Sequence, residues 1–158
     1  MIDARFGHVN LIARDWRRLA DFYERVLGCT FVPPERDYRG PELAAGSGVA
    51  NAALRGVANA ALRGAHLRLP GRGPDGPTLE IYQYDPSLDG LPTTANRPGF
   101  GHIALAVPDV EAARAIVLAE GGRSVGEVVT LTTSDGRRVT WTYVADPEGN
   151  IVELQGWS

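Results

Sequence analysis

Two histidines and two glutamates recur at matched places in this chain. His8 stands in Phe6-Gly7-His8-Val9-Asn10-Leu11, and the pattern returns 94 positions later as Phe100-Gly101-His102-Ile103-Ala104-Leu105. Glu80, in Pro74-Asp75-Gly76-Pro77-Thr78-Leu79-Glu80-Ile81, is matched 73 positions on by Glu153, in Pro147-Glu148-Gly149-Asn150-Ile151-Val152-Glu153-Leu154. A lone strand histidine is ordinarily a hydrogen-bonded core or surface residue, and a lone strand glutamate is ordinarily solvated. Four donors at equivalent positions of a duplicated unit carry more weight, and a repeat must be recognised before any element is assigned. Two neutral imidazoles and two carboxylates would offset the charge of one divalent ion and leave room in a six-coordinate shell for water or substrate. Nitrogen and oxygen donors without thiolate suit Ni, Co, Mn, Fe or Zn about equally, so the metal's identity is not written in these residues.

Strand alternation decides whether such donors can converge. On a first strand His8 shares a face with Phe6, Asn10 and Ile12, and on a later strand Glu80 shares one with Thr78, Tyr82 and Tyr84. His102 sides with Ala104 and Ala106, and Glu153 with Ile151 and Gln155. Each donor occupies the same strand position in its copy, so closing two sheets into a cleft would point all four inward.

The elements around them repeat as well. Asp15 is placed to cap a helix over Trp16 to Leu27, where Trp16, Leu19, Phe22, Tyr23, Val26 and Leu27 recur at helical spacing and Gly28 ends the run. Asp109 caps a second helix, Val110 to Glu120, with Val110, Ala113, Ile116 and Val117 on one face before Gly121-Gly122. Extended segments are expected at Phe6–Ala13, Cys29–Val32, Leu62–Leu69 and Thr78–Tyr84, then at Ile103–Val107, Glu127–Thr132, Arg138–Val144 and Ile151–Gln155. Ser134-Asp135-Gly136 reads as a hairpin turn. The expected class is α+β: two tandem βαβββ modules, residues 1–85 and 100–158, joined by a linker over 86–99 and forming a curved mixed sheet around a metal-binding cleft. The first module is longer, partly because Gly48-Val49-Ala50-Asn51-Ala52-Ala53-Leu54-Arg55 is repeated without change as residues 56–63. Identity without drift points to slippage or insertion rather than function, and loop-closure entropy makes such an excursion cheap.

Composition narrows the function classes. A chain of 158 residues suits one compact domain or two half-domains sharing a core. Cys29 is the single cysteine, which excludes an intrachain disulfide and makes a reducing cytoplasm the simplest expected compartment. No signal-peptide core opens the chain and no apolar run reaches membrane-spanning length. A net charge of −3 without a basic stripe argues against nucleic acid and anionic membranes, leaving a small molecule as the expected partner.

Phe6-Gly7-His8-Val9, Leu79-Glu80-Ile81, Gly101-His102-Ile103-Ala104-Leu105 and Asp146-Pro147-Glu148-Gly149-Asn150-Ile151-Val152-Glu153-Leu154 together resemble the vicinal oxygen chelate superfamily. That group contains glyoxalase I, methylmalonyl-CoA epimerase, extradiol dioxygenases and the fosfomycin and bleomycin resistance proteins. The resemblance implies metal ligands at His8, Glu80, His102 and Glu153, with Glu153 or Glu80 serving as catalytic base beside a metal-polarised carbonyl. The 14 residues from Asp85 to Pro98 are long enough to let the modules pair within a chain or swap between chains, and a homodimer is the expected state. A carboxylate at Glu80 argues against the two-His, one-carboxylate set of the dioxygenases, so a lyase or isomerase of glyoxalase I or epimerase type is the expected function. The alternatives are a small-molecule binding protein of the antibiotic-resistance type and, behind it, an extradiol-type dioxygenase. Glyoxalase I places an Arg and an Asn where this chain has Ile12 and Tyr84, which argues against a glutathione adduct and for an apolar or aromatic group against Ile12, Tyr82 and Tyr84. His66 reads as a surface or core histidine, with a proton relay as the alternative. Trp141 and Tyr143 read as pocket wall or core, and the acids of the 146–149 turn as solvated.

Overall fold

The computed structural model describes residues 1–47 and 61–158; the first octapeptide and the start of its copy lie outside them. The chain divides into two compact units, Met1–Asp89 and Gly90–Ser158.

In the first unit β1 (His8–Ile12) leads into α1 (Trp16–Leu27), β2 (Thr30–Arg39), α2 (Pro41–Ser47), β3 (Ala61–Arg68) and β4 (Thr78–Asp85). The sheet order is β1-β4-β3-β2, with β1 parallel to β4 and the other pairs antiparallel. The Asp15 carboxylate accepts a bond from the Arg18 backbone N–H, satisfying one donor of the first turn of α1. Gly28, at φ 69°, takes the left-handed conformation that ends the helix without a Cβ penalty. The helix buries Trp16, Leu19, Ala20, Phe22 and Tyr23 and packs on β3 and β4, whose Ala65, Leu67, Leu79 and Ile81 are fully buried. Each large apolar side chain removed from water contributes about 1.5–3 kcal/mol, so this layer is the unit's main stabilising term. Because β3 and β4 alternate, Glu80 and His66 stand on the sheet face opposite α1.

The second unit runs β5 (Ile103–Ala106), α3 (Val110–Ala119), β6 (Arg123–Ser124), β7 (Val129–Thr132), β8 (Arg138–Ala145) and β9 (Ile151–Trp157). Its sheet order is β5-β9-β8-β6, with β7 also on β8 and β5 parallel to β9. Asp109 caps α3 by accepting from the Ala112 N–H at 2.9 Å. The helix packs on β8 and β9.

Four local expectations change. The strand expected to end at Val32 runs on to Arg39, its register shifting between Val32 and Arg36 where Pro33-Pro34 cannot donate to the ladder. Helix α2 was unforeseen, although Pro41 at its first position and Glu42 in its first turn are helix-start signals. The strand expected over 127–132 begins at Val129, as β7, and a short strand not expected, β6, precedes it; between them the Gly126 carbonyl accepts from the Ser124 and Thr142 hydroxyls while Val125 and Gly126 both donate to Tyr143 O. Ile116, expected on the buried face of α3, is 51% exposed, the buried stripe there being Val110 and Val117.

Candidate metal centre

In the first unit β1 lies beside β4 so that Asn10 pairs with Glu80, while β3 on the other side pairs His66 with Glu80. This register gathers four polar side chains around one carboxylate. His8 Nε2 lies 3.2 Å from Glu80 Oε2, and the Asn10 amide donates to the same oxygen at 3.3 Å. His66 Nε2 lies 3.0 Å from Oε1, and the Tyr82 hydroxyl donates to that oxygen at 3.5 Å. Glu80 is only 8% exposed, so these partners replace the water its carboxylate gives up.

His66 Nε2 is also 2.7 Å from the Tyr82 oxygen, and its Nδ1 faces the Thr78 hydroxyl at 3.5 Å. A lone pair on Nε2 would repel the carboxylate 3.0 Å away, so Nε2 carries the proton and Nδ1 accepts from Thr78. Burial lowers the His66 pKa below the ordinary value, opposed by the nearby Glu80 charge. Burial, then the charge of Glu80, pushes the Tyr82 phenol upward, so it keeps its proton.

The second unit builds a sparser version. His102 immediately precedes β5, and its Nε2 lies 2.9 Å from Glu153 Oε2 on β9. Tyr143 on β8 pairs with Glu153 in register, the position His66 holds opposite Glu80. The His102 ring lies 4.9 Å from the Tyr143 ring at 41°, and Tyr143 meets Trp141 edge-on at 4.8 Å. The aromatics read as pocket wall or core are thus half-buried companions of His102.

All four expected ligands therefore stand in two imidazole–carboxylate pairs, one per unit. Ligand bonds of about 2.0–2.2 Å at right angles would separate neighbouring donor atoms by about 3 Å, so the spacing within each pair suits adjacent positions around one ion. Among the described residues no group of three or more His, Cys, Asp or Glu is arranged to hold an ion; His8 and His66 approach different oxygens of Glu80.

His66, read as a surface or core residue, stands against Glu80 instead, and Asn10 beside it was not singled out. The signal for both was their parity with His8 and Glu80, but the register that joins them is not local. Asp146, read as solvated, is 1% exposed and accepts from the Glu148 and Asn150 N–H groups and the Asn150 side chain. That fold-back of the turn leads into β9 and positions Glu153. Ile12 is 48% exposed, and Tyr84 borders a hollow of about 500 Å³ with Arg17 and Arg63, whose lining does not include Ile12 or Tyr82.

A duplicated strand-and-helix unit that sets one imidazole against one carboxylate in each copy defines a paired-module protein with nitrogen and oxygen donors. The profile of the glyoxalase/bleomycin resistance protein/dioxygenase superfamily, the vicinal oxygen chelate group, matches residues 5–154, and the chain belongs to it. None of the curated proteins compared with the chain matches it. Among solved structures, the glyoxalase family protein from Bacillus cereus is 18% identical over 97% of this chain and 93% of its own, with a TM-score of 0.77. A glyoxalase family protein from Enterococcus faecalis is 21% identical over 98% and 99%, with a TM-score of 0.60. A glyoxalase/bleomycin resistance protein from Albidiferax ferrireducens is 18% identical over 96% and 98%, with a TM-score of 0.56. At these identities the likeness is one of fold. No helix among the described residues is long and apolar enough to cross a membrane.

Proposed function

We propose that the chain is a divalent-metal-dependent lyase or isomerase of the glyoxalase I or epimerase type, moving a proton on the carbon next to a carbonyl of a small molecule. The supporting observation is the repeated pair, His8 Nε2 at 3.2 Å from Glu80 and His102 Nε2 at 2.9 Å from Glu153. Together His8, Glu80, His102 and Glu153 would hold one ion of the Ni, Co, Mn, Fe or Zn group, whether one chain or two copies in a homodimer supply them. When bound, the ion would supply Lewis-acid polarisation of the carbonyl oxygen.

The two carboxylates then have different work. Glu80 has partners on both oxygens, which hold its rotamer. Glu153 faces His102 alone among the described residues and is the freer of the two to take and return a proton, so it is assigned as the base and Glu80 as the fixed ligand. Ile12 and Tyr84 stand where glutathione-binding residues would be needed, which favours a carbonyl substrate without a glutathionyl arm.

Metal analysis of protein purified without added ions tests the first part, and about one equivalent of a transition metal per chain or per pair of half-sites is expected. A screen of methylglyoxal–thiol adducts and 2-methylacyl-CoA epimers tests the second. Turnover of the methylglyoxal–glutathione adduct with kcat/KM above about 10⁵ M⁻¹s⁻¹ would restore a plain glyoxalase I assignment. Metal-free protein that binds a small ligand without converting it would instead support the binding-protein alternative.

A further inference from the structure

The two units are built on one plan, yet the side chains around their glutamates differ position by position. In register terms Asn10, Gly64, His66 and Tyr82 of the first unit correspond to Ala104, Trp141, Tyr143 and Gln155 of the second. Only the first unit surrounds its carboxylate with donors. Gly64 makes this possible. It pairs with Tyr82 across β3 and β4, and a Cβ at position 64 would lie 2.0 Å from Ile81 O and 2.3 Å from Tyr82 Cδ1. With no side chain there, the Tyr82 ring lies across the strand and brings its hydroxyl to both His66 and Glu80.

We propose that His66, aligned by Tyr82 and Thr78, is a positioning residue that holds Glu80 Oε1 and thereby presents Oε2 to the ion beside His8. The inference rests on the metal reading above. Carboxylate ligands are ordinarily fixed by hydrogen bonds to the oxygen that faces away from the metal, and losing such a partner costs about 10–100-fold in affinity. His66 meets that description: its Nε2 is 3.0 Å from Oε1, His8 Nε2 is 3.2 Å from Oε2, and the two imidazole centroids are 6.4 Å apart, so each ring addresses a different oxygen of the carboxylate. The second unit has no counterpart, because Tyr143 meets the His102 ring rather than the Glu153 carboxylate. Glu80 is thus held through both oxygens, whereas Glu153 has His102 alone beside its carboxylate among the described residues.

Titration of the full-length, metal-stripped protein with Co²⁺, followed by calorimetry and by the visible absorption of the bound ion, tests this. His66→Phe should weaken Co²⁺ binding about 10–100-fold and alter the absorption, with the melting curve confirming that the variant is folded. His66→Gln, whose amide can donate to Oε1 but does not replace an imidazole ligand, should recover affinity to within about threefold of wild type. Tyr82→Phe, which removes one contact and keeps the ring, should cost less than His66→Phe and provides a second measure should that variant fail to fold. Unchanged affinity and absorption in folded His66→Phe, or in Tyr82→Phe if His66→Phe does not fold, would overturn the positioning role. Equal losses in His66→Phe and His66→Gln would also overturn it and make His66 a direct ligand. A wild-type protein that binds no Co²⁺ would overturn this inference together with the metal reading, whereas tight wild-type binding with unaffected variants would leave that reading standing.

Discussion

Glu80 and Glu153 are the same residue type at the same strand position, and their neighbours separate them. Replacing Glu153 by Gln would leave an oxygen for the proposed ion and remove the carboxylate proposed as the base. Metal content should persist while turnover falls by about two to four orders of magnitude, measured on whichever carbonyl substrate the screen finds. His102→Ala removes a nitrogen donor outright, and elemental analysis should show the metal depleted. Cys29 makes a contrasting residue-level case. It is buried just past the end of α1, and burial, with a smaller contribution from Glu24, pushes its thiol up to about 12. The thiolate is the reactive form, so at pH 8 native protein should react with a disulfide reagent far more slowly than denatured protein. Equal rates would contradict the burial of this side chain.

Among the elements, β3 carries the most consequence per residue. Its Gly64 lets β4 approach closely and lets Tyr82 lie across the pair. Gly64→Ala places a methyl group against the Ile81 carbonyl, which cannot rotate away, so the ladder itself must shift. A loss of at least about 2 kcal/mol is expected in a denaturant melt, within the range for overpacking a tight site. The same strand begins inside the duplicated octapeptide: Ala61, Leu62 and Arg63 are the last residues of the second copy, and Leu62 is buried. Because the copies are identical, deleting residues 56–63 leaves Ala53, Leu54 and Arg55 joined to Gly64 with the same sequence entering β3. The deletion variant should therefore fold and keep its metal content. Failure to fold, where a variant with a replaced loop of equal length succeeds, would show that both copies carry structure.

For the molecule as a whole, the donors lie far apart in sequence and are brought into pairs only by folding. An ion bound by them would therefore bind the native chain in preference to the unfolded one. Metal at about 100 times its dissociation constant should then stabilise the fold by about 2.7 kcal/mol. For a chain of this length that corresponds to a rise in Tm of about 5–11 °C over protein stripped with a chelator. A Tm indifferent to added Ni²⁺, Co²⁺ and Zn²⁺ would count against the ligand set even if trace metal co-purifies.

Much of this architecture is written locally. The duplication, the capped helices after Asp15 and Asp109, the left-handed stop at Gly28 and the strand parity of His8, Glu80, His102 and Glu153 follow from residue order, because caps and periodicities act over a few residues. Equivalence between the copies led to the expectation that all four donors face one cleft; it did not specify that each histidine meets the glutamate of its own unit. That pairing and its distances needed the parallel β1–β4 and β5–β9 ladders. The environment of those pairs was not legible in the same way. Asn10, His66 and Tyr82 meet Glu80 only because β3 and β4 pair in one register, and a slip of one residue would turn His66 to the α1 face. Asp146 looked solvated because burial depends on how a turn folds over its own acceptor. Spacing along the chain determined which donors exist and which strand face each occupies, whereas register, a property of strands distant in sequence, decided that Glu80 meets partners at both oxygens and Glu153 meets His102 alone among the described residues.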